Sequence, residues 1–199
     1  MTRGHGNCKQ YIKSINMKFR HSFPVSGLVL VMASLVLSFT VRTQTSDKDI
    51  RIIADSRKAK SAFIHTDGLM KNLFEKAHGY VIFPNVGKGG LGVGGASGNG
   101  AVWEKGVIIG SARLTQVTVG LQAGGQAYRE VIFFESEQAM DEFKENKLEF
   151  SAQMSAVAIK PGASANAKYD HGVMIFTQTK GGLMYEASIG GQKFSYKKS

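Results

Sequence analysis

Thiol chemistry is all but missing from this chain: its one cysteine, Cys8, lies upstream of a hydrophobic leader. The rest therefore has no disulfide, no thiolate zinc site and no cysteine nucleophile. Histidine is sparse too, with only His65, His78 and His171 downstream of the leader and no shared spacing among them. No H-x-x-x-H pair and no Asp/Glu cage points to a metal. Carboxylates are absent from residues 1–45, which hold six Lys/Arg. The formal charge of +10 is thus concentrated in the leader, and the remaining 19 basic and 15 acidic groups leave +4. That is a mildly basic globular domain rather than a polybasic nucleic-acid binder.

What is present begins with targeting. Met17-Lys18-Phe19-Arg20-His21 is a basic start, and Val25 to Val41 is a nearly continuous apolar run. At about 17 residues it is long for a signal-peptide core and short for a membrane span. Residues 1–45 read first as a cleaved signal peptide starting at Met17, with an uncleaved N-terminal anchor as the alternative. No A-x-A site and no lipobox cysteine follows the run. Residues 46–199 then have room for one domain with its own core.

Ser46-Asp47-Lys48-Asp49 reads as a capping box opening a helix to about His65. At 100° per residue Ile50, Ile53, Ala54, Ser61 and Ile64 share one face, while Ile52, Ala59 and Phe63 lie nearly opposite. Such a helix either packs between two layers of one core or docks on its domain and offers apolar surface to a bilayer. Leu69, Met70, Leu73, Phe74 and Ala77 form the stripe of a second, core-facing helix. From Gly79 onward the pattern is β. Short runs (Tyr80–Phe83, Gly89–Val93, Ala101–Trp103, Val107–Leu114, Gln116–Ala123, Ala127–Phe134) alternate with glycine-bearing turns. Ser136 caps a short helix, Leu148 to Ala158 alternates like a strand, and Val173–Gln178, Leu183–Ile189 and Lys193–Tyr196 are the last strands. The expected fold is α+β: a strongly bent antiparallel sheet, partly closed toward a barrel, with N-terminal helices and one short helix mid-chain.

The glycines at 87, 89, 90, 92, 94, 95, 98 and 100 pose the main question. Gly90-Leu91-Gly92-Val93-Gly94-Gly95 fits G-x-G-x-x-G after a strand, but a dinucleotide site needs a helix at the third glycine. Ala96-Ser97-Gly98-Asn99-Gly100 cannot start one, and no acidic residue follows about twenty positions on. The stretch around Ser97 misses G-x-S-x-G at its last position, and His171 beside Asp170 reads as a solvated turn. The residues call for no catalytic group and no cofactor.

Ala77-His78-Gly79-Tyr80-Val81-Ile82-Phe83-Pro84, Lys88-Gly89-Gly90, Gly94-Gly95 and Gly98-x-Gly100 together resemble the SYLF domain, a lipid-binding module. The resemblance continues through Gln116, Gly120 to Gln126, Val131 to Phe134, Gly172-Val173, Phe176-Thr177, Lys180 to Leu183 and Gly190-Gly191, covering about residues 47–198. It implies membrane association without catalysis. Eukaryotic relatives bind phosphoinositides and some bind actin, whereas exported bacterial members are similar to envelope proteins that contact phospholipids. The leader favours the second group, with a periplasmic or envelope location and anionic phospholipid as partner. On this reading Arg51, Ile52, Arg57, Lys58, Lys60 and Phe63 form a membrane-contacting helix face. Lys88, with Gly89 and Gly90, is either a phosphate contact in an anion nest or an exposed turn lysine. The alternatives are a structural or protein-interaction envelope protein without a lipid ligand and, further off, a lipid-acting hydrolase.

Overall fold

The long apolar run Val131-Ile132-Phe133-Phe134 is buried at every position, because the strand that carries it is covered on both faces. The computed structural model describes residues 47–148, 150, 155–180 and 189–199, without the side chains of residues 91, 92 and 118–124. The leader, Ser46 and the expected strand at 183–189, except Ile189, lie outside the described residues. The described elements are helix α1 (residues 47–66), helix α2 (Met70–Lys76), strand β1 (Gly79–Glu104), strand β2 (Val107–Phe134), helix α3 (Glu137–Lys144), strand β3 (Val157–Ala158), a 3-10 turn (Ala163–Asn166), strand β4 (Val173–Thr179) and strand β5 (Gln192–Lys198). Among them no helix is long and apolar enough to cross a membrane.

The α+β expectation is borne out, with two changes. β1 and β2 are not six short strands but one long antiparallel hairpin, paired from Glu104↔Val107 at its turn to Gly79↔Phe134 at its open end. Lys105 and Gly106 take positive φ, as a tight hairpin turn requires. The other change is one parallel pairing. The sheet runs β1-β2-β4-β3, with β5 on the other half of β2, and β3 lies parallel to β4. Among the described residues the sheet does not close into a barrel. Of the expected strand over 148–158, the described part supplies only Val157–Ala158.

The glycines are in the hairpin, not in turns between strands. Pro84 does not end β1; the strand absorbs it in a register shift between Phe83 and Val86. β1 then bends so far that its two ends meet. Lys105 N–H donates to the His78 carbonyl at 3.0 Å, and the Tyr80 and Trp103 rings stack with centroids 5.2 Å apart. A Cβ on Gly100 would collide with the carbonyl oxygen of Ile82 and the ring of Phe83. What approaches the glycines here is the strand itself.

The bent sheet has two cores. One holds Val81, Phe83, Ile132, Phe134, Val173 and Ile175 with Met140 and Phe143 of α3. The other holds Tyr80, Ile82, Val131, Phe133, Met174 and Phe176 beneath Ala59 and Phe63 of α1 and Met70 and Phe74 of α2. Alternation along β1, β2 and β4, reset at the register shifts of the hairpin, deals side chains to the two layers in turn. The Ser136 side chain caps α3 by accepting from Ala139 N–H at 3.3 Å, as its sequence position predicts. Buried Asp67, at the break between α1 and α2, accepts from Ser164 Oγ at 2.7 Å and Ser164 N–H at 2.8 Å, tying the helices to the 3-10 turn.

Candidate functional site

The first helix buries the stripe of Ile52, Ala59 and Phe63 most deeply, while Ile53 and Ile64 of the other stripe pack partly against the same core. Ser56, Ala59 and Phe63 are buried, with Ser56 Oγ donating to the Ile82 carbonyl at 3.1 Å, and Ile52 packs against the same core. Phe63 and Ile52 therefore face the protein, which corrects their placement on an outward surface. Lys60 also turns inward. Its Nζ donates to Tyr80 Oη at 3.0 Å and stands 4.7 Å from the Phe74 ring centroid and 4.9 Å from that of Tyr80. Arg51, Arg57 and Lys58 remain exposed, and Lys58 makes only a loose surface pair with Asp55 at 3.4 Å. The apolar residue left beside them is Ile50, 59% exposed.

Lys88 sits on a strand rather than in a loop, paired with Gln126; Gly89 pairs with Gly125 and Gly90 with Gly124. Neither reading of Lys88, an anion nest of turn amides or an exposed turn lysine, describes these positions, because they are extended and paired in register. Gly90 lies at the bend, where a Cβ would overlap Gly94 and Val93. Lys88 is half-buried without an ion-pair partner among the described residues, and that desolvation lowers its pKa.

A second basic surface was not singled out from the sequence. Beyond the helices no described element covers one face of β1, β2 and β5, where Ser97, Asn99, Arg113, Thr115, Ser195 and Lys197 are exposed. Cross-strand pairing lines up Asn99, Arg113 and Ser195 in one row, Ala101, Ser111 and Lys197 in the next, and Ser97, Thr115 and Lys193 in a third. Farther along this face Val93 and Val117 are 66% and 74% exposed. At its other end Lys48, Asp49 and Ile52 of α1 join Asn99, Ser111, Arg113, Ser195 and Lys197 around a cleft of about 290 Å³. The signal was available: Ser111-x-Arg113-x-Thr115 and Lys193-x-Ser195-x-Lys197 each alternate at the strand period. Their adjacency was not, because it depends on β5 pairing with the first half of β2.

The opposite face of the same strands hides a polar cluster. Glu130 is fully buried between Phe83 and Thr177 on the neighbouring strands, and it accepts from Gln192 Nε2 at 3.0 Å. Among the described residues its other carboxylate oxygen, the Thr177 hydroxyl and the Gln192 side-chain carbonyl have no hydrogen-bond partner. Burial pushes the Glu130 pKa up to about 7, and the hydrogen bond from Gln192 only partly offsets this. Burial, and after it the Glu130 charge, push the neighbouring Tyr128 hydroxyl far up.

The residues weighed for hydrolysis are not brought together. Ser97 lies on β1 opposite Thr115, and His171 is an exposed turn residue at φ 49°, 3.6 Å from Asp170. No hydrogen bond joins a serine to a histidine among the described residues. Nor does any group of three or more His, Cys, Asp or Glu side chains there converge as metal ligands.

Fold and surface together define a sheet-dominated α+β domain with a basic, partly apolar face suited to binding. The comparisons with known proteins sharpen this class. Residues 115–199 match the model of the Ysc84 family, described as "Las17-binding protein actin regulator", and over that stretch the SYLF resemblance is borne out. The chain is also 28% identical over 166 residues to Beta cell expansion factor A of Aeromonas veronii, an alignment covering 76% of this chain and 63% of that relative. SYLF proteins are a family of binding modules.

Proposed function

We propose that the domain is a non-catalytic module that docks on membranes containing anionic phospholipid. The observation that carries this reading is the uncovered sheet face, on which Val93 and Val117 are exposed on the same side of the sheet as Arg113, Lys193 and Lys197. Apolar side chains that enter the headgroup layer and cations that meet its charge are the two contributions to peripheral binding. The exposed flank of α1 adds Arg51, Arg57 and Lys58 beside Ile50, and half-buried Lys88 is a further cation for a headgroup phosphate. Each cation near an anionic surface contributes on the order of 1 kcal/mol. Three charges removed from α1 should therefore weaken partitioning by about a hundredfold. The test is flotation with phosphatidylglycerol/phosphatidylcholine vesicles at low and high salt, for the intact domain, the triple variant Arg51→Ala/Arg57→Ala/Lys58→Ala and the double variant Val93→Ser/Val117→Ser. Binding lost in either variant supports the reading; absence of binding by the intact domain at both salt concentrations overturns it.

The leader supports export to the periplasm or cell envelope. Fractionation of cells expressing the full chain tests this, and recovery only in the cytosol would refute it. The family description favours a second reading, a protein-interaction role, in which the same basic face meets an acidic protein surface. Actin co-sedimentation without vesicle binding would select that reading.

A further inference from the structure

We infer that the cleft between α1, β2 and β5 is a discrete recognition site for a phosphate group, carried by a lipid headgroup or by a soluble phosphate ester. This deepens the membrane reading at one end of the uncovered face, and rests on it only where the phosphate is a lipid's. Three cations enter the cleft from three elements: Lys48 from α1, Arg113 from β2 and Lys197 from β5. None has an ion-pair partner among the described residues, and Asp49 is the only carboxylate in the lining.

Register fixes their spacing. Arg113 stands directly opposite Ser195, and Lys197 directly opposite Ser111, so the two cations are diagonal neighbours on adjacent strands. Diagonal side chains start about 7–8 Å apart, within reach of each other for long side chains, and like charges placed this way repel. An anion held between them converts the repulsion into attraction. The Ser111 and Ser195 hydroxyls and the Asn99 amide add neutral donors around the same space. A carboxylate or a phosphodiester offers two oxygens and one charge to this ring; a phosphate monoester offers three and up to two charges, and Arg113 can hold two of those oxygens at once. A cleft of about 290 Å³ leaves room for a small ester group beside the phosphate.

The experiment compares the intact domain with Arg113→Gln, Lys197→Gln and Arg113→Lys, each checked for unchanged melting, since Arg113 and Lys197 are exposed. Titration calorimetry uses inorganic phosphate and glycerol 3-phosphate, with acetate as the carboxylate control. Flotation uses phosphatidic acid vesicles, whose headgroup is a phosphate monoester, and phosphatidylglycerol vesicles, alongside the α1 triple variant. The inference expects phosphate-ester binding at least tenfold tighter than acetate. Either glutamine variant should lose about tenfold or more, and Arg113→Lys should recover only part of the loss. If soluble esters bind but vesicles do not, the site stands and the membrane reading fails. If vesicle binding depends on Arg51, Arg57 and Lys58 while Arg113→Gln and Lys197→Gln match the intact domain in every assay, the membrane reading stands and the cleft assignment is overturned. Equal binding of acetate and phosphate also overturns it.

Discussion

Replacing Glu130 with glutamine should stabilise the domain at pH 8 and leave it nearly unchanged at pH 5. Among the described residues the buried carboxyl has one hydrogen bond and one oxygen without a partner, so ionising it in the fold is costly. An ordinary glutamate value of 4.5 rises to about 7 in the folded protein. The folded state therefore holds this proton more tightly than the unfolded chain does. Stability is fully present below pH 4.5, falls as pH rises from there to about 7, and stays low above. At about 1.4 kcal/mol per pH unit, that window corresponds to about 3 kcal/mol. For a domain of this size it is a change in Tm of about 6–12 °C. A glutamine side chain can still accept from Gln192 Nε2 but does not titrate. The assay is thermal or urea unfolding of both proteins by circular dichroism between pH 4.5 and 8.5, read as the difference between them so that other groups cancel. A gap that opens with rising pH is the expected result. A constant gap would refute the reasoning, because Glu130 would then ionise as easily in the fold as out of it.

Two further outcomes are expected. Gly100→Ala should cost about 2–3 kcal/mol in urea unfolding, because its Cβ meets the Ile82 carbonyl, whereas Gly87→Ala, with open space around it, should cost little. Asp67→Ala should cost about 3 kcal/mol by stranding the Ser164 donors. Burial tends to raise the Asp67 pKa, but the hydrogen bonds from Ser164, Leu69 and Gly162 outweigh it and hold the value below 3.8. Its contribution is accordingly present above that pH and lost as acid titrates the folded carboxyl. Asp67→Asn should flatten the acid end of the wild-type stability curve.

The sequence speaks clearly where one element decides its own fate. The stripe of α2 from Met70 onward, the cap of α3 and the turn at Lys105–Gly106 all follow from neighbours within a few positions, whereas Leu69, expected in that stripe, is 46% exposed at the helix cap. It misleads where the cause lies across space. Glycines at 98 and 100 look like turn signals, yet they stay extended and are bare because Asn85, Val86, Ile82 and Phe83 press against them. Periodicity offers α1 two apolar faces, and between Ile52 and Ala59 on the buried one the Ser56 hydroxyl finds a carbonyl on β1 that no helical wheel displays. The cleft is hidden for the same reason. Lys48, Arg113 and Lys197 are far apart in the chain, and only the β2–β5 pairing and the docking of α1 make them neighbours. Lys88 was visible because it interrupts a glycine run, but its strand setting was not.

The hairpin also dictates an order of assembly. Glu104 and Val107 are 3 positions apart, whereas Gly79 and Phe134 are 55 apart, with the pairing running between these limits. Zipping from the Lys105–Gly106 turn closes short loops first, and each further rung closes a longer one. The Ile82 and Tyr80 surface that receives α1 and α2 is completed only when Val131 and Phe133 arrive. The first helices made are thus among the last to dock. Changes at the turn should alter the folding rate, and changes at Phe63 mainly the unfolding rate.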